Sequence, residues 1–146
     1  MRALRFVIIA VVAIMATACS STTRSVEMHD TERSTWSTAE VYHYDNRDTL
    51  TIREIAVVVR YDKGYLADSV PMRILCISPD SLVVEERFTL HIPHLGDMHP
   101  ADHTFPYRSN VVLGRMGRYT FRLTPDHSVE GIESIGIAIS EPESEE

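Results

Sequence analysis

From residue 41 onward the chain alternates apolar and polar positions with a period of two, the pattern of strands with one buried face. Residues 49–61 read TLTIREIAVVVRY. Ile55, Val57, Val59 and Tyr61 fall on one face, and Leu50 and Ile52 on the other. A bulge near Arg53 and Glu54 is expected to restore a single buried face. Residues 70–78 carry apolar side chains on both faces at 74–77, which predicts a central strand. Pro79-Asp80-Ser81 is a turn signal. In residues 82–92, Leu82, Val84, Phe88, Leu90 and Ile92 share a face interrupted by Glu86. An antiparallel hairpin across 79–81 is therefore predicted.

Residues 93–108 hold three prolines and a glycine and are expected to form a loop, followed by a short strand at 109–113 and a turn at 114–117. In residues 118–123, Tyr119, Phe121 and Leu123 face inward, and a second turn is expected at 124–128. Ile135, Ile137 and Ile139 share a face in residues 132–139, with the small residues Gly136 and Ala138 opposite, where something should approach closely. No stretch after residue 19 keeps a helical period for three turns. Six to eight strands separated by Pro, Gly and Asp turns predict an all-β antiparallel sandwich, jelly-roll or Ig-like, over residues 41–140.

The amino terminus follows other rules. Fifteen of the first eighteen residues are apolar. Arg2 and Arg5 precede an apolar run at 6–15, and Ala16-Thr17-Ala18 supplies small residues. This is the layout of a secretory signal over 1–18, too short for a comfortable membrane span. Cys19 follows directly, and the segment resembles a bacterial lipobox with Ala16 in place of the usual leucine. That resemblance implies that Cys19 is the lipidation site and the mature amino terminus, held in the membrane by two or three acyl chains. Residues 20–40, rich in Ser and Thr, are expected to be a flexible tether reaching about 20–25 Å. Trp36, near its end, is expected to fold back as a core anchor. Ser20 to Arg24 carry no acidic cluster, which favours an outer-membrane anchor with the domain facing the periplasm. The tail over 141–146 is acidic and expected to fray.

Length and charge narrow the function. The 146 residues suffice for one domain. Loss of Arg2 and Arg5 with the leader moves the net charge from −7 to −9, which argues against nucleic acid and against electrostatic binding to anionic headgroups. With Cys19 acylated, Cys76 has no partner for a disulfide and is read as a small buried hydrophobe. His91, His94, His99 and His103, with Asp97 and Asp102 between them, carry the ligand types of a zinc site. Their spacing matches neither a helical HExxH nor a finger, and an exposed polar loop is expected instead of a metal. Glu85 and Glu86 should point to opposite faces of a strand, so they cannot form an acid–base pair. A GxSxG elbow and a GxxxxGK[ST] loop are both absent. No catalytic residue, cofactor or metal is assigned, and no enzyme is expected.

One resemblance covers most of residues 36–140. A lipobox, a polar tether and a Trp lead to Asp48-Thr49-Leu50-Thr51-Ile52 and a hydrophobic strand closing on Val59-Arg60-Tyr61. Near the end stand Gly117-Arg118-Tyr119-Thr120-Phe121 and Val129-Glu130-Gly131-Ile132-Glu133-Ser134-Ile135-Gly136-Ile137. This layout resembles the GldH family of gliding-motility lipoproteins, whose usual Tyr-Pro-Tyr-Ser-Asn-Leu stretch is replaced here by residues 65–70, YLADSV. The resemblance implies a non-enzymatic envelope lipoprotein whose partners belong to a motility or secretion complex. The residues also leave a second reading open: a carbohydrate-binding sandwich presenting Tyr42, Tyr44, Tyr61, Tyr65, Phe105 and Tyr107 as a platform. The residues identify neither a particular partner nor a small-molecule ligand.

Overall fold

The computed structural model describes residues 23–94 and 100–143. The expected signal segment over 1–18, the expected lipidation site Cys19, Asp97, His99 and the last three residues lie outside them. The described residues are all-β and form ten strands: β1 (Arg24–Asp30), β2 (Thr35–Trp36), β3 (Glu40–Asn46), β4 (Ile52–Tyr61), β5 (Val70–Ile77), β6 (Val83–Leu90), β7 (Ala101–Val112), β8 (Gly117–Pro125), β9 (Val129–Glu130) and β10 (Ile132–Ser140). Two four-stranded antiparallel sheets face each other, in the orders β1-β10-β4-β7 and β3-β8-β5-β6. β2 and β9 pair separately. Among the eight long strands, the chain crosses between sheets at every connection except the β5–β6 hairpin. This connectivity is that of a jelly roll, not of an Ig domain.

The core lies between the sheets. Val57, Val59, Ile135, Ile137 and Ile139 point inward from one sheet, and Tyr42, Met72, Ile74, Phe121 and Leu123 from the other. Tyr42 donates its hydroxyl to the Ile135 carbonyl at 2.5 Å, a hydrogen bond that ties the sheets across the interior. Trp36 is only 1% exposed and donates its indole N–H to the Thr38 carbonyl, the anchor role expected of it.

The expected tether is largely structure. Arg24–Asp30 forms an edge strand that pairs along its length with β10. Met28 lies opposite Gly136, and a Cβ on Gly136 would overlap the Glu27 carbonyl oxygen and lie 2.6 Å from Met28 Cγ. The small residue in β10 is the seat of β1, so the domain begins at Arg24 and not at residue 41. A polar edge strand exposes most of its side chains and gives little alternation in sequence. Gly131 adopts φ +83°, as its place before β10 requires, and a Cβ there would lie 2.5 Å from the backbone at Gly64 and Tyr65.

The expected loop at 93–108 is also corrected. Ala101–Val112 forms the twelve-residue β7, paired with β4. Its prolines misled because Pro is tolerated on an edge strand, where its missing N–H disrupts no ladder. The register between β4 and β7 shifts twice, near Arg53/Ile55 and Ile55/Ala56. Each shift places the extra residue on β7, where Asn110 has φ +56°. The bulge expected on β4 is therefore on its partner. Arg53 keeps the inward phase, while Leu50 and Ile52 point outward.

Candidate interaction cleft

The two long sides of the sandwich differ. On one side, edge strands β1 and β3 are clasped: His29 bonds Glu27 through Nε2 at 3.1 Å and Glu40 through Nδ1 at 3.0 Å, and the His43 backbone N–H donates to Glu27. Burial alone would lower the His29 pKa, but its bonds to Glu40 and Glu27 outweigh that and raise it. His29 also stacks on Tyr42.

On the other side, β6 and β7 part at the end nearest residue 82. The gap is an apolar cleft of about 380 Å³. Its walls include Cys76, Val84, Val111, Leu113, Tyr119 and Phe121. Half-way along, Glu86 closes it, accepting hydrogen bonds from the Tyr107 hydroxyl and from Arg108. Those bonds hold the Glu86 carboxyl below its ordinary range, chiefly through Tyr107. Burial and the Glu86 bond push the Tyr107 hydroxyl up to about 12. Beyond Glu86, Phe88 packs edge-on against Tyr107 and the core is shut. At the open mouth Arg115 pairs with Asp80 at 3.1 Å. Two other hollows, of about 260 and 610 Å³, involve Arg73, Glu85 and Arg122 in one case and Arg24, Glu54 and Thr104 in the other. The 380 Å³ cleft is the one of these three walled by Leu113, Tyr119 and Phe121 of the core, whereas the 610 Å³ hollow meets the core at Ile55 among mostly polar and charged neighbours.

Cys76 is free and half-buried at the cleft floor, and burial pushes its thiol up, away from the thiolate that nucleophilic chemistry requires. Its expected role as a small hydrophobe fits this position, although the cleft leaves it partly uncovered.

The edges flanking the cleft are unlike. β7 carries two register shifts, Pro106 and a left-handed Asn110, features that blunt an edge. β6 pairs residue for residue with β5 along its full length, without a register shift, and lacks proline. Among the described residues its outer backbone groups form a regular unpaired row.

The histidines weighed as zinc ligands do not come together among the described residues, which leave out His99 and Asp97. His91 is exposed, as its outward position predicts. His94 lies beside Tyr65, and His103 packs on Phe105. Asp102 is taken by Arg60, at 2.7 Å. No group of three metal-ligating side chains occurs among the described residues. Glu85 and Glu86 take opposite faces as expected, Glu85 towards Arg73 and Glu86 towards the cleft. Of the six platform aromatics, Tyr42, Tyr61 and Tyr65 are core residues, and Tyr44, Phe105 and Tyr107 are half-buried. Arg108 lies over the Tyr107 ring.

Sequence reasoning missed the pairing of Glu86 with Tyr107 and Arg108. Its trace was the lone acid on the inward face of β6, which requires a partner when half-buried.

No family model matches the chain, and no curated protein matches it. Among solved structures it is similar to a chain of the infectious bursal disease virus Gx strain, with 10% identity, TM-score 0.42 and 84% of this chain covered. The matched part is 33% of that viral chain, so this chain spans about a third of its length. It is also similar to the Yersinia pseudotuberculosis-derived mitogen, with 9% identity and TM-score 0.35, covering 86% of this chain and 92% of that one. A third likeness is to dimeric latent PorU from Porphyromonas gingivalis, with 8% identity and TM-score 0.34, covering 86% and 13%.

Proposed function

We propose that the protein is an envelope lipoprotein, held by acyl chains on Cys19, whose jelly roll binds another envelope protein without catalysing a reaction. The resemblance to GldH supports a partner belonging to a motility or secretion complex. The observation that carries the binding reading is the cleft: an apolar gap reaching the core residues Leu113, Tyr119 and Phe121, beside the regular edge of β6, which is unpaired among the described residues. An extended segment of the partner adds to β6, and its inward side chains cover the mouth over Val84 and Cys76. Main-chain bonds to β6 give affinity, and alternate side chains in the cleft give specificity.

Site-specific photo-crosslinking in cells tests this. A crosslinker at Glu85 on β6 is expected to capture one discrete protein, and one at Ser25 on the β1 edge is not. Equal capture from both edges, or none from β6, would refute the docking mode.

A further inference from the structure

The structure places most of its exposed large apolar side chains at one end. Leu50 is 85% exposed, Met116 68% and Leu82 63%, and Val83, Val112 and Ile52 are also exposed. They lie in or beside the 47–51, 78–82 and 113–116 connections. These three connections share an end: Ile52 pairs with Val112, Asn46 with Gly117, and the Asn46 amide donates to the carbonyls of Leu113 and Arg115. Leu66, also exposed, follows the other end of β4.

The chain enters the domain at the same end. Arg24 pairs with Ser140, and Ser140 pairs with Glu54, two residues from Ile52. Only four residues, Ser20 to Thr23, separate Cys19 from Arg24. Fully extended, that link spans about 17 Å. β4 alone, at ten residues, is about 33 Å long. A lipid on Cys19 therefore cannot let the Leu66 end reach the bilayer with the domain upright, whereas it holds the apolar end against it.

We propose that this end of the jelly roll seats in the interfacial layer of the bilayer, with Leu50, Leu82 and Met116 inserted among the headgroups. The proposal rests on the lipoprotein reading. Single apolar residues on a surface are ordinary, but a cluster at the anchored end is a contact surface. The occupant is lipid: Arg24 pairs level with Glu54, about 7 Å inside the Ile52 end, so the extended link clears that end by only about 10 Å, too little for a folded protein to lie between that end and the membrane. Insertion is chiefly apolar: Arg115 pairs with Asp80, Arg118 with Asp45 and Arg53 with Asp48, which leaves only Arg24 and Arg47 without an ion pair at this end among the described residues, and the chain as a whole is acidic. Neutral lipid therefore suffices.

The test uses the full lipidated protein on phosphatidylcholine vesicles, with Cys76→Ala removing the background thiol. An environment-sensitive fluorophore is placed in turn at Leu50→Cys, Met116→Cys and Leu66→Cys. A quencher carried on the lipid is expected to lower emission about twofold at 50 and 116, an insertion depth of several ångströms, and to leave 66 unchanged. Protein that floats with the vesicles but shows equal, weak quenching at all three sites would overturn the seating and leave the anchor standing. Protein that neither floats nor carries acyl mass would overturn both.

Discussion

Gly136→Ala probes whether β1 belongs to the domain. In the native chain the β1 backbone crosses directly over Gly136, and an added Cβ would overlap the Glu27 carbonyl oxygen, lie 2.6 Å from Met28 Cγ and 2.9 Å from Met28 Cα. Real Cβ atoms essentially never approach within 3.0 Å. Two of these three atoms are backbone, so rotation of the Met28 side chain cannot relieve the overlap. β10 is held by β4 on its other side, whereas β1 is an edge strand, so β1 yields. Overpacking of this kind costs about 1–3 kcal/mol. With a urea slope of about 2 kcal/mol per molar, a loss of about 2 kcal/mol lowers the midpoint by about 1 M. Urea unfolding followed by Trp36 emission reads the loss, and hydrogen exchange locates it in residues 24–30. A midpoint unchanged within about 0.2 M, with no faster exchange in β1, would show that this segment does not pack on β10.

Further outcomes follow from the same packing. Trp36→Ala should cost about 3–5 kcal/mol in denaturant unfolding, since the ring is fully buried; a loss below about 1 kcal/mol would remove its anchor role. His29 has a raised pKa in the fold, so the β1–β3 clasp contributes fully below its ordinary 6.5 and fades as pH rises through the raised value; hydrogen exchange in β1 should quicken across that window, and Glu40→Gln should flatten the dependence. The Glu86 carboxyl is held low, so its contribution is present above its ordinary value of 4.5 and is lost as pH falls through the lowered one; Glu86→Gln should weaken that acid dependence, and an unchanged acid limb would refute the pairing. Cys76 should react with a disulfide reagent more slowly than an unfolded control at pH 7.5, because burial keeps it protonated, and occupation of the cleft should slow it further.

The strands that could be read from sequence are those with one face in the core and one in water. β8, β10 and the β5–β6 hairpin keep a period of two because Tyr119, Phe121 and Leu123 of β8 and Ile135, Ile137 and Ile139 of β10 alternate with outward or small residues. β1 and residues 101–108 of β7 were hidden for a physical reason, whereas the last part of β7 falls within the strand expected at 109–113. Both are edge strands with many exposed side chains, so Ser25, Glu27, Thr104 and Arg108 gave no apolar alternation and read as linker. In β7 Pro106 reinforced the error, and the exposed pair Ser109 and Asn110, where one register shift falls, interrupts the face shared by Phe105, Tyr107 and Val111. The cleft was invisible because it forms between β6 and β7, whose inward residues are joined only in three dimensions. Even there one sign was present: Glu86 interrupts an otherwise apolar face, and such an acid must find a donor when the sheets close. The apolar end was also divided in the sequence among three connections, each contributing one or two residues that look unremarkable alone.

The proposed lipid anchor is read by the intact mass of the protein purified from its own membranes. The mature chain is expected to begin at Cys19 and to carry two or three acyl chains on that residue. A mature chain beginning elsewhere, or beginning at Cys19 with an unmodified thiol, would contradict it.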